Sequence, residues 1–300
     1  MFTGCGTALV TPFRSDLSLD EAALRRLVRR QVDAHIDFLV PCGTTGECPT
    51  LSHAERRRVV EITLEEGHGA VPILAGAGGY NTAEVIEAAR ELQAMGVDGI
   101  LSVTPYYNKP TQEGLYQHYK AIAAAISLPV IVYSVPGRTG VNVEPATVRR
   151  LAQIDNIVGI KEASGNIGQM AAIASGASDM FAVLSGDDAI ALPLAALGGC
   201  GVISVASNEI PGEMTRLVKL CLENNFPEAR ELQRKYLPLM EVNFIESNPI
   251  PVKAAMALMG LLEPVWRLPL VAPKAENLAR IRGVLESLGM IEQVYAASAN

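Results

Sequence analysis

Eight short apolar runs recur through the first two-thirds of the chain: Gly4 to Pro12, Phe38 to Pro41, Val71 to Gly76, Gly99 to Val103, Val130 to Tyr133, Val158 to Glu162, Ala182 to Ser185 and Cys200 to Ser204. Most are continuous and rich in Val and Ile, without in-out alternation, which is how strands covered on both faces read. Between them the apolar positions return with helical spacing. Leu24, Leu27, Val28 and Val32 share one helical face, and Val85, Ile86, Ala89 and Leu92 another. Ser18 with Glu21, and Ser52 with Glu55, have capping-box spacing, and Gly96 stands where a left-handed helix cap is wanted. Strand then helix, eight times over, predicts an α/β fold: a closed (β/α)₈ TIM barrel. A doubly wound open sheet is the alternative, but the glycine fingerprint expected after its first strand is missing.

After the eighth run the pattern changes to helices alone. Pro227 to Leu237, Pro251 to Leu261 and Pro273 to Leu288 are the main candidates, each with proline near its start. The expected organisation is a catalytic barrel over residues 1–224, a C-terminal helical domain over 225–292 and a disordered tail over 293–300. A hydrophobic share of 49% against 19% charged residues is ample for a large core. No apolar run approaches the ~18 residues of a membrane span, and Met1-Phe2-Thr3-Gly4 lacks a basic secretory flank. A cytoplasmic enzyme is the expectation. The net charge of −7 disfavours nucleic acid or an anionic membrane as a partner. Five cysteines without paired spacing suit a reducing compartment. Cys42 and Cys48 flank a loop, but no other pair completes a metal site, and the four histidines form no nucleophile motif.

The chemistry gathers where strands end, because active sites of such barrels sit on the loops after the strands' carboxyl ends. The sixth run ends on Lys161. An ordinary lysine, with a pKa near 10.4, is a free amine only about one time in a thousand near neutral pH. Burial of an amine favours its neutral form, which is how proteins obtain Schiff-base nucleophiles. A buried lysine merely paired with a carboxylate is the bland alternative. After the second run, Gly43-Thr44-Thr45-Gly46-Glu47 reads either as an ordinary turn or as a cradle of amides and hydroxyls for a carboxylate. Tyr106 and Tyr107 follow the fourth run and Tyr133 ends the fifth; together they suggest proton handling. Arg138, between glycines in Pro136-Gly137-Arg138-Thr139-Gly140, suits bidentate binding of a carboxylate, or a surface ion pair. Gly186 and Ile203, at the seventh and eighth ends, are further candidate substrate contacts. Asp187 and Asp188 read as caps of the following helix rather than as acid and base.

These motifs together, with Asn248-Pro249-Ile250-Pro251-Val252-Lys253 downstream, resemble those of the dihydrodipicolinate synthases (4-hydroxy-tetrahydrodipicolinate synthases), within the pyruvate-dependent, Schiff-base class I aldolases. The resemblance runs from Phe2 to about residue 290. It implies a lyase, a homotetramer built as a dimer of dimers, condensing pyruvate with L-aspartate 4-semialdehyde on the route to diaminopimelate and lysine. No metal or organic cofactor is implied. Carried over by position, Lys161 forms the imine, Tyr133 relays protons, and Thr44 links Tyr133 to Tyr107, which enters a neighbouring subunit's site. Thr45 holds the pyruvate carboxylate and Arg138 that of the semialdehyde. Ser134 departs from the asparagine usual beside the strand-five tyrosine. Of the positions forming the lysine feedback site of many members, His53, Glu84 and Tyr106 are retained, whereas Cys48, Pro49, Arg56 and Tyr80 differ. The cation of Arg56 and the ring of Tyr80 predict weak or absent inhibition by L-lysine. The rival readings are an N-acetylneuraminate lyase or keto-deoxy-sugar aldolase sharing the imine lysine, and a non-catalytic small-molecule-binding barrel.

Overall fold

The computed structural model describes residues 2–67 and 69–292; the expected disorder of 293–300 lies outside them. Eight parallel strands carry the fold: β1 (Gly4–Ala8), β2 (Phe38–Val40), β3 (Leu74–Gly76), β4 (Gly99–Val103), β5 (Val130–Ser134), β6 (Ile157–Glu162), β7 (Ala182–Ser185) and β8 (Gly201–Ser204). Their order is β2-β1-β8-β7-β6-β5-β4-β3. The remaining seam, β2 to β3, is closed by a single parallel bridge between Leu39 and Ile73 and by the Gly76 amide on the Pro41 carbonyl at 2.9 Å. The chain is thus the expected TIM barrel. Gly76 permits this closure, because a Cβ there would lie 2.1 Å from the Cys42 carbonyl oxygen. The apolar run from Val71 yields a strand only from Leu74, since Pro72 has no amide to donate to a ladder.

Helices α1 (Glu21–Asp33), α2 (His53–Gly67), α3 (Thr82–Met95), α4 (Gln112–Ala125), α5 (Pro136–Thr139), α6 (Pro145–Leu151), α7 (Ile167–Ala174), α8 (Ala191–Ala196) and α9 (Pro211–Leu222) lie in the connections and close the barrel's outer ring. The Ser52–Glu55 capping box forms as the spacing predicts, each residue's side chain bonded to the other's amide. The Ser18–Glu21 box does not. Ser18 turns back onto the Asp16 carboxylate, and Asp20 caps α1 through the Ala23 amide at 3.0 Å. Gly96 closes α3 with φ +86°.

Three longer-range helices follow: α10 (Phe226–Val242), α11 (Ile250–Leu258) and α12 (Ala275–Ser287). Tyr236, Leu239, Met240, Ile281 and Leu285 of these helices belong to the same apolar cluster as Ile100, Val132, Ile160 and Val202 on the outer faces of the strands. A second cluster fills the lumen: Ala8, Val40, Leu74, Leu101, Ile131, Tyr133, Leu184 and Ile203, floored by Phe2 edge-on to Phe38. Burying both faces of every strand explains why the sequence shows runs instead of alternation.

Candidate active site

Lys161 reaches the lumen through an irregularity. Val130 pairs with Ile157, yet Ile131 pairs with Gly159, so β6 carries one more residue than β5 at Val158. Ile157 packs in the outer cluster, and strict alternation from it would send residue 161 outward as well. The extra residue reverses that parity, as a bulge does. Lys161 then falls in register with Tyr133 on one side and Leu184 on the other, both lumen residues. Its side chain is 5% exposed, and Nζ stands 4.4 Å from the centroid of the Tyr133 ring. Gly186 leaves the space for it: a Cβ there would sit 3.1 Å from the Lys161 Cε and 2.5 Å from the Ala163 Cβ. Ile203 is fully buried in the lumen cluster.

The loop after β2 folds into a tight turn, the Gly46 and Glu47 amides bonding to the Gly43 and Thr44 carbonyls at 3.2 and 3.1 Å. The amides of Thr44 and Thr45 find no protein acceptor among the described residues. Thr11 Oγ1 donates to the Gly46 carbonyl at 2.7 Å. Glu47, with φ +51°, ends the loop with its carboxylate in a fully buried ion pair with Lys253 of α11. The Arg267 amide also donates to that carboxylate at 3.3 Å, and Lys253 Nζ rests 4.4 Å from the Phe13 ring centroid. Burial pushes the Lys253 ammonium down, with Glu47 pulling it back. Lys253 entered the sequence reading only as the end of a motif; its pairing with Glu47 was not anticipated, although a lone cation in the apolar run from Ile250 to Met256 was the available sign.

A cavity of about 370 Å³ opens beside this loop, walled by Gly43, Thr44, Tyr133, Arg138 and Thr139. It continues outward to Cys48, His53, Arg56, Glu91 and Tyr106. Lys161 adjoins Tyr133 outside this wall, and Thr45 is buried. The structure therefore gathers Thr44, Tyr133 and Arg138 on one cavity, with Lys161 against the Tyr133 ring. No hydrogen bond joins Thr44 to Tyr133 among the described residues. Arg138 is presented by α5 and donates through NH2 to the Asn248 carbonyl at 2.9 Å.

Tyr107 is not brought in. It is 90% exposed with φ +69°. Tyr106 stacks edge-on to Tyr80 with centroids 5.2 Å apart, and burial raises its phenol above the usual range. His53 is exposed and pairs with Glu91 at 2.7 Å; Glu84 accepts from Asn81 at 2.8 Å. On the rim the Cys42 thiol donates to the Arg56 carbonyl at 3.7 Å, and its interaction with the neighbouring Cys48 draws the Cys48 thiol down to about 7 and the buried Cys42 up. Asp187 caps the turn after β7 through the Ala189 amide at 2.9 Å. Asp188 instead ties that loop to the end of β8, accepting the Val205 and Ala206 amides at 3.0 and 2.9 Å. Burial raises its carboxyl above the usual range. Neither aspartate faces the cavity wall.

Comparison with known proteins agrees with this geometry. The model of the dihydrodipicolinate synthetase family matches residues 1–288. The 4-hydroxy-tetrahydrodipicolinate synthase of Koribacter versatilis is 52% identical over 295 residues, covering 98% of each chain. The dihydrodipicolinate synthase structure from Aquifex aeolicus superposes with a TM-score of 0.95 at 41% identity, over 97% of this chain and all of that one. A structure described as the first monomeric dihydrodipicolinate synthase variant gives a TM-score of 0.95 at 45% identity, over 97% of this chain and 98% of its own. By sequence and by fold, over nearly its whole length, the chain belongs to the dihydrodipicolinate synthetase family.

Proposed function

We propose that the chain condenses pyruvate with L-aspartate 4-semialdehyde through an imine on Lys161, giving 4-hydroxy-tetrahydrodipicolinate. The observation that carries this is the amine of Lys161, turned into an apolar lumen against the Tyr133 ring at the carboxyl end of the barrel. The neutral amine adds to the ketone carbon of pyruvate, and loss of water leaves a protonated imine. That cation is an electron sink, so a methyl proton leaves and an enamine forms. The enamine carbon attacks the aldehyde. The semialdehyde's own amine then displaces Lys161 from the imine carbon, closing the ring and freeing the enzyme.

The other residues serve proton transfer and orientation. Tyr133 relays protons to and from the reacting oxygen and nitrogen. The Thr45 hydroxyl and the unpaired amides of Thr44 and Thr45 receive the pyruvate carboxylate, and Arg138 receives that of the semialdehyde. Gly186 and Ile203 border the imine lysine and the lumen. The sugar-acid aldolase reading is not favoured, since the relatives at about 50% identity carry the synthase name. Tyr107 is assigned to the site of a second copy, in a homotetramer. Its exposure and left-handed backbone are those of a residue whose contacts lie outside its own chain. Among the described residues, no helix is long and apolar enough to cross a membrane; placement in the cytoplasm is part of this proposal.

Borohydride reduction in the presence of pyruvate, followed by peptide mass spectrometry, tests the central step. A 1-carboxyethyl group is expected on Lys161. Its absence there, with the protein folded, would remove the nucleophile from the mechanism.

A further inference from the structure

The segment Asn248 to Lys253 carries no role in the chemistry above, yet it reaches the site from outside the barrel at three points. Lys253 holds Glu47 at one end of the β2 loop. The carboxamide of Asn248 donates through Nδ2 to Thr45 Oγ1 at 2.9 Å, and its backbone carbonyl accepts Arg138 NH2 at 2.9 Å. Asn248 is 5% exposed, Thr45 is 2% exposed, and Asn248 Oδ1 has no partner among the described residues. A hydroxyl offers one hydrogen and can accept as well. Once its oxygen accepts from Asn248, its hydrogen must find another acceptor, and none exists among the described residues.

We infer that Asn248 is a positioning residue that turns the Thr45 hydroxyl into a donor toward a substrate carboxylate and, through its carbonyl, sets the place of Arg138. One residue from beyond the barrel thereby registers the two anion contacts against each other. The inference rests on the roles of Thr45 and Arg138 proposed above. It gives polarity a function: an acceptor at position 248 captures the hydroxyl hydrogen that the substrate needs. Asn248→Asp is nearly isosteric and can only accept, so it reverses the polarity and leaves the backbone hold on Arg138 in place.

Steady-state kinetics of Asn248→Asp, Asn248→Ala, Thr45→Val and the double variants test this. Losing a hydrogen bond to a charged group predicts a rise of about tenfold or more in the pyruvate KM for Asn248→Asp. Asn248→Ala, which only frees the hydroxyl, is expected to raise it less. The semialdehyde KM stays near its original value in both, which a merely loosened fold would not allow. Adding Asn248→Ala to Thr45→Val produces no further rise. If Thr45→Val raises the pyruvate KM but the Asn248 variants do not, the inference falls and the proposed role of Thr45 stands. If Thr45→Val leaves that KM unchanged, the role of Thr45 falls and the inference with it. Undiminished effects of Asn248→Ala in the Thr45→Val background mark a general structural role and overturn the inference. Should the Asp variant fail to fold, the Ala cycle alone decides.

Discussion

The loop after β2 and the loop after β4 both bring hydroxyl groups to the barrel mouth, and both contain residues in the left-handed region: Cys42 and Glu47 in the first, Tyr107 and Lys109 in the second. Such a conformation costs roughly 1–2 kcal/mol per non-glycine residue. In the first loop the cost is offset within the chain. Cys42 and Glu47 are buried, and Glu47 is locked to Lys253. In the second, Thr104 is held to Tyr133 and Thr139 at the strand end, but around Tyr107 the hydrogen bonds are the Asn108 carboxamide on the Tyr80 carbonyl at 3.0 Å and the Asn108 amide on the Tyr106 carbonyl at 2.8 Å, and Tyr107 itself is 90% exposed. The first loop is preorganised by its own polypeptide; the second leaves Tyr107 exposed, as the proposed role in a second copy requires. Rigidity thus falls on the loop proposed to hold a small anion, and exposure on the loop proposed to make an assembly contact.

The comparison breaks most forcefully at the buried ion pair. Lys253→Met leaves the Glu47 carboxylate buried with only the Arg267 amide, and a loss of about 3–5 kcal/mol in unfolding free energy is expected. Urea denaturation measures it, and the added change Glu47→Gln should recover part of the loss. A Lys253→Met protein as stable as the parent would mean that the first loop is no more anchored than the second.

Acid weakens the contact between α3 and α4, the helix that follows the second loop. His118 of α4 is buried, bonds Thr82 of α3 at 2.9 Å, and burial pushes it down to about 4. The unfolded chain binds a proton at His118 below about 6.5 whereas the folded chain does not until about 4, so stability falls as pH drops through that window. A loss of about 3 kcal/mol at its lower end follows from that interval at ~1.4 kcal/mol per unit. His118→Gln should flatten that slope in thermal unfolding measured from pH 7 to 4; an unchanged slope would place the acid sensitivity elsewhere.

Tyr107→Phe sharpens the comparison from the catalytic side. Loss of the proton-handling role proposed for this hydroxyl predicts a fall in kcat of about a hundredfold, with no change in melting temperature because the side chain is 90% exposed. A lowered melting temperature with full turnover would assign Tyr107 to packing. The smallest effect is expected from L-lysine. With Arg56 and Tyr80 beside His53 and Tyr106, millimolar L-lysine should change initial rates by less than half, and a larger drop would show that the cavity's outer end still takes the cation.

Much of this was legible in the residues because both faces of each strand are covered: the eight runs, their spacing and the residues at their ends follow from that one condition. Lys161 and Tyr133 were visible because chemistry placed at the end of an apolar run has few structural uses. The bulge that turns Lys161 inward was not, since one extra residue at Val158 changes parity without changing composition. The capping box at Ser52 formed and that at Ser18 did not, because Asp16 offered Ser18 a closer partner. Least visible were the bonds from Asn248 to Thr45 and from Lys253 to Glu47, which join residues 203 and 206 positions apart. No local period records such a pairing.

Those two bonds also impose an order in time. A ribosome finishes β6, with Lys161, before it reaches Asn248 and Lys253, so the β2 loop gains these two holds only once the segment from 248 to 253 has been made.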